Sequence, residues 1–153
     1  ITAKTDIGAL YGAYALLRRQ YTGEPTSGVV SNPSYEERIL DHWDNLDGSV
    51  ERGYAGNSIF WHGKDSLSVL PADIELWTEY ARANCSIGIN GSVINNVNAN
   101  PLILTADYLK RVKAIADVLR PYGIKTYLSV NFASPVSLGK LKTADPLDQQ
   151  VVN

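Results

Sequence analysis

Cysteine is nearly missing from these 153 residues: Cys85 stands alone. A single thiol forms no internal disulfide, and a nucleophilic cysteine would want an activating histidine beside it. The only two histidines, His42 and His62, are remote from Cys85 in sequence, so Cys85 is read as a buried structural thiol. Methionine is absent altogether, including at position 1, and the chain is expected to be an internal piece of a longer polypeptide. No Lys/Arg run stands out and the net charge is -2. Nucleic-acid binding rests largely on phosphate neutralisation, so no nucleic-acid partner is expected. No apolar run approaches the roughly 18 residues of a membrane span, so no membrane partner is expected. The chain also lacks the pattern of a signal peptide.

What is present is enough for a packed domain. Hydrophobic residues make up 44% and charged residues 20%, a globular rather than disordered balance. Residues 7–21 predict a helix from the spacing of Ile7, Leu10, Tyr14, Leu17 and Tyr21, with Asp6 as its cap and Gly23 at its end. Pro25 to Asn32 reads as a linker and sets a domain boundary near residue 30. A strand is predicted over 36–45 and a long irregular stretch over 47–71, with Ile59 to His62 as a short extended insert. Pro71 opens a second helix with Ile74, Trp77 and Ala81 on its apolar face and Tyr80 beside it. A second strand follows at 87–95. A third helix is capped by Thr105 and carries a Leu109, Val112, Ala116, Leu119 stripe. A third strand spans about 124–131. Parallel strands joined by helices fit an open doubly wound sheet or part of a (β/α)8 barrel. Asp47-Gly-Ser-Val-Glu-Arg-Gly53 lacks the glycine spacing of a dinucleotide fingerprint, which favours the barrel. A whole barrel needs about 250 residues, so under half of one is expected here.

Each strand ends in polar groups. The first delivers Trp43, Asp44, Asn45 and Asp47, the second Val93, Asn95 and Asn96, the third Asn131. Barrel sites lie at the C-terminal ends of strands. Indole faces stack on sugar rings, and amides donate and accept together, which matches hydroxyl groups. The expected ligand is therefore a carbohydrate. A catalytic carboxylate pair is not expected within the chain: Asp41, Asp44, Asp47 and Glu51 share one strand and its loop, and alternation turns Asp41 and Asp44 to different faces. Arg52 and Lys64 either bind an acidic substrate or stay solvated. Two histidines without a clustered carboxylate do not make metal-ligand spacing, so no metal and no cofactor are expected. Asn84-Cys-Ser and Asn90-Gly-Ser match the glycosylation triplet and are read as coincidental.

The stretch from His42-Trp-Asp-Asn-Leu-Asp-Gly48 to Gly56 resembles the first barrel segment of the xylan-degrading α-glucuronidases, glycoside hydrolase family 67. Gly88-Ile-Asn-Gly-Ser-Val-Ile-Asn-Asn96 resembles that family's second strand. Arg120-Pro-Tyr-Gly-Ile-Lys125, Leu128 to Pro135 and Thr143 to Asp148 resemble its third unit. Residues 6–17 resemble the last helix of a small α/β domain before the barrel, giving residues 1–30 to that domain and 31–153 to the barrel. The resemblance implies hydrolysis of the α-1,2 bond between (4-O-methyl)glucuronic acid and the terminal xylose of a xylo-oligosaccharide, with inversion and without a metal. It matches Trp43 to a residue packing on the glucuronic acid and Val93 to one lining the same pocket. Asn45, Asn95 and Asn131 join them from strand-end position alone. The family's acid and base carboxylates and its uronate-binding cations lie on later strands, outside this chain. The compartment is left open between cytoplasm and periplasm, a bacterial-type enzyme being favoured over a secreted one. The alternatives are a non-catalytic carbohydrate-binding module and a purely structural barrel fragment whose open strand edges pair with a second copy as a homodimer.

Overall fold

Thr5, in extended backbone, accepts a hydrogen bond from the Gly8 amide at 3.0 Å and starts helix α1, Asp6–Thr22. Asp6 is thus the first helical residue rather than the cap. Gly23 ends α1 at φ 71, its N–H reaching back to the Arg19 and Gln20 carbonyls. The computed structural model describes residues 1–63 and 67–152. Strand β1 is Ile39–Asp41, followed by α2 (Pro71–Ser86), β2 (Gly91–Val93), α3 (Ala106–Leu119) and β3 (Lys125–Tyr127), with two short helices, α4 (Ser134–Ser137) and α5 (Gln149–Val152).

The three strands form one parallel sheet in the order β1-β2-β3, with Asp41 opposite Val93 and Val93 opposite Tyr127. Each strand is three residues long, well short of the predicted spans, because the chain leaves the ladder as soon as its loops take over its backbone partners. Ile59 to His62 forms no strand; Phe60 and Trp61 are fully buried instead. The sheet has two unlike faces. Ser92 and His42 turn toward α2, where both meet the Tyr80 hydroxyl. Ile94 turns the same way into a core built with Trp77, Ala81, Ile115, Leu119 and Ile124. The opposite face carries Ile39, Gly91 and Tyr127. A Cβ on Gly91 would stand 2.7 Å from Ile39 and 3.0 Å from Tyr127, so only glycine lets those two side chains flank it. That face is largely open, and Ile39 and Trp43 are exposed. Helix α1 lies against the outer end, its Arg18 guanidinium donating to the Ser86 carbonyl and Ile7 seated over Gly123.

Two helices turn differently from their expected stripes. In α2 the buried residues are Asp73, Trp77, Ala81, Asn84 and Cys85, while Ile74 is exposed. In α3 they are Arg111, Ile115 and Leu119, while Leu109 is exposed. The cause is one buried ion pair. Arg111 is wholly buried, with Nη1 3.2 Å from Asp73 Oδ2, Nε donating to the Phe60 carbonyl, and its guanidinium 4.9 Å from the Trp77 ring centroid. Asp73 also accepts from the Leu70 amide at 3.0 Å and lies 2.6 Å from His62 Nε2. Pairing makes the burial of both charges tolerable, and it rotates Ile74 and Leu109 outward. Thr105 precedes α3 but donates to the Leu102 carbonyl rather than capping the helix.

Burial pushes the Asp73 carboxyl up, but the Leu70 amide, His62 and Arg111 outweigh it, and the net direction is down. A depressed folded value means the pair's contribution is complete above the ordinary carboxylate value of about 4 and is lost as pH falls through the folded one. Urea unfolding of the full-length protein should therefore show stability dropping below about pH 4. An Asp73→Asn variant, already weaker at neutral pH, should show a shallower drop; parallel curves would refute this role.

Candidate saccharide site at the strand ends

The C-terminal edge of the sheet is assembled from three strand ends and one long loop. After β1 the ladder continues for one bond, His42 N–H to the Val93 carbonyl at 3.0 Å. Alternation then sets Trp43 on the open face with Asp41 and Val93, while His42 and Asp44 turn away from it. Trp43 is 42% exposed. Its carbonyl accepts from the Glu51 amide at 2.8 Å. Asp44 is buried, accepts from the Ser58 hydroxyl, and offers its carbonyl to the Asn96 amide at 2.7 Å. It is a structural carboxylate. Asp41, on the open face and opposite Val93, is exposed.

The asparagines do different work. Asn45 donates to the Ser49 hydroxyl and the Glu51 carbonyl, folding the loop that follows. Asn95 is buried and extends the sheet with its side chain: Nδ2 donates to the Ser129 carbonyl at 2.9 Å and Oδ1 accepts from the Ser129 amide at 3.0 Å. It copies a peptide edge where the β2–β3 backbone ladder has stopped. Asn131 spans two loops, with Nδ2 3.3 Å from the Ala99 carbonyl and Oδ1 accepting from the Ala133 amide at 2.8 Å. Asn96 Oδ1 accepts from the Asn98 amide, and Asp47 is held low by its hydrogen bonds from Ser49. These amides brace the rim. Val93 keeps a partly open side chain on the same face as Asp41.

Two shallow depressions flank this edge. One is lined by Asn45, Asn98, Asn100 and Tyr108, the other by Asp47, Ser49, Asn57 and His62. Trp43 and Val93 lie in neither. Arg52 is exposed on the loop, and Lys64 falls outside the described residues. Cys85 is buried in α2, and burial raises its thiol, as an inert cysteine requires. Neither glycosylation triplet offers a free amide: Asn84 donates to the Tyr80 carbonyl within α2, and Asn90 bonds Arg38 and Glu36 across to the β1 side.

Residues 19–153 match the glycosyl hydrolase family 67 middle domain. The chain belongs to family 67. Among its relatives, alpha-glucuronidase A of Emericella nidulans is 46% identical over the whole chain, which covers 18% of that protein. The probable alpha-glucuronidase A of Neosartorya fischeri is 46% identical over 99% of the chain and 18% of its own length. Alpha-glucuronidase A of Aspergillus tubingensis is 46% identical over 95% of the chain and 17% of its own length. The chain thus spans under a fifth of these family 67 relatives. Sequence reasoning passed over Ser58 altogether and placed Tyr80 only beside the apolar face of α2, not at the strand end. They support the strand end through loop and helix, and nothing in local spacing marks them.

Asn95→Ala should cost about 1–3 kcal/mol, the range for leaving buried partners unsatisfied. Hydrogen exchange at the Ser129 amide should accelerate. An unchanged Ser129 exchange rate would show that the Asn95 bridge is not what protects it.

Proposed function

We propose that the chain is one sector of the (β/α)8 barrel of an enzyme hydrolysing the α-1,2 bond between (4-O-methyl)glucuronic acid and xylose in xylan-derived oligosaccharides. Family membership supports a glycosidase, and the relatives' names specify α-glucuronidase. The observation that carries the reading for this chain is Trp43. It is an exposed indole two residues beyond the end of β1, and alternation sets it on the open face of the parallel sheet that Asp41 and its partner Val93 share. An apolar ring face there suits a pyranose ring, and Val93, opposite Asp41 on the same face, suits an O-methyl group. Asn45, Asn95 and Asn131 shape the rim and act on the saccharide indirectly or through atoms left over from their bracing bonds.

The reaction by inversion needs two carboxyl groups roughly 6.5–9.5 Å apart with a water between them. Asp44 and Asp73 are buried in structural bonds and do not qualify. Asp41, Asp47 and Glu51 share one strand end and its loop rather than facing one another from different strands; the acid and base are assigned to parts of the polypeptide outside this chain, and this sector contributes a binding wall. The open edges of β1 and β3 are where further barrel strands add. In isolation the same edges would favour a homodimer, which sedimentation would reveal.

The full-length protein should release uronic acid from aldouronic acids that carry a terminal glucuronosyl-xylose; no release removes the substrate assignment. Trp43→Ala should lower kcat/KM on that substrate by about a hundredfold, about 2.7 kcal/mol of lost transition-state binding. Wild-type kinetics in that variant would make Trp43 scaffold only.

A further inference from the structure

We propose that His42 and Asp44 are positioning residues that hold Trp43 as a rigid platform for the uronosyl ring, with Tyr80 and Ser92 as the far anchor of His42. This deepens the reading of Trp43 given above and rests on it. Residue 43 lies between two side chains that both point away from the open face. His42 Nε2 is 2.7 Å from the Tyr80 hydroxyl, which is 2.9 Å from Ser92 Oγ on the wholly buried centre of β2. The imidazole also meets Phe60 and Tyr80 edge-on, at 5.1 and 5.4 Å between centroids. On the other side Asp44 takes the Ser58 hydroxyl, whose oxygen accepts from the Phe60 and Trp61 amides at 3.0 Å.

The backbone is fixed at the same places. The His42 amide is bonded to Val93, the Trp43 carbonyl to Glu51 and the Asp44 carbonyl to Asn96. Position 43 therefore has little backbone freedom, and its indole faces outward from a fixed Cα. Burial pulls the His42 imidazole below its ordinary value, although Asp44 and Asp41 oppose this. A neutral ring with its proton on Nδ1, facing Asp44 Oδ1 at 3.9 Å, leaves Nε2 to accept from Tyr80. The clamp is thus complete without a buried charge on the histidine. A platform ordered before the sugar arrives spares the complex the entropy of ordering it on binding. Such an effect appears in substrate affinity more than in the chemical step.

The test is a double-mutant cycle in the full-length protein, with a glucuronosyl-xylobiose as substrate. His42→Phe keeps an aromatic ring against Phe60 but loses the acceptor. Tyr80→Phe removes only the hydroxyl at the other end and guards against a misfolded His42 variant. Each should raise KM about tenfold, equivalent to about 1.4 kcal/mol, with kcat within about twofold. In a Trp43→Ala background neither change should raise KM further, because the group they position is gone. Effects that multiply with Trp43→Ala would overturn the proposal, as would a loss confined to kcat. Should Trp43→Ala alone leave KM and kcat untouched, the platform reading itself fails, a result separate from a cycle that is merely additive.

Discussion

The structure depends on how a long, irregular loop is held inside a small domain. The segment between β1 and α2 brings backbone carbonyls into the core, and each must find a donor. Trp77 Nε1 donates to the Ile59 carbonyl at 2.7 Å and Arg111 Nε to the Phe60 carbonyl at 2.7 Å. Trp61 Nε1 donates to the Ile94 carbonyl at 2.8 Å and ties the loop to the strand beyond β2. Large side chains with directed N–H groups thus replace the ladder a strand would have supplied. With the loop pinned, Phe60 and Trp61 complete the core, and Asp44 and Ser58 are drawn beneath the strand end.

That arrangement explains why one face of the sheet is finished and the other open. The helix side is sealed by α2, α3 and the pinned loop, with Ile94, Ile115 and Leu119 fully buried. The other side offers Ile39, Asp41 and Trp43 to whatever lies across it. The chain spans under a fifth of the length of its family 67 relatives. The polar groups at the rim divide accordingly. Those facing the helices are consumed in mutual bonds, whereas Asp41 on the open face is exposed.

Much of this was legible in the residues. Pro71 and Gly23 marked a helix start and a helix end because proline and glycine act through local backbone geometry. The βαβαβ order, the parallel pairing and the family likeness of the His42 to Gly56 stretch were also readable. The turn of each helix about its axis was not. Ile74 and Leu109 are apolar at helical spacing, and periodicity alone assigns them to the core. Asp73 and Arg111 displace them, because a paired, hydrogen-bonded charge can be buried and the pairing spans 38 positions.

Local features were determined by the residues alone: which segments are helical, where they stop, and that polar residues collect after each strand. Sequence by itself could not say which of those polar residues remain available. Asn45, Asn95, Asn131 and Asp44 look alike as letters, yet their hydrogen-bonding atoms are engaged by groups four, 34, 32 and 14 positions away. Trp43 is left outward because its neighbours on both sides are anchored inward. Such assignments depend on contacts between segments far apart in the chain, so they exist once the fold has brought those segments together and not before.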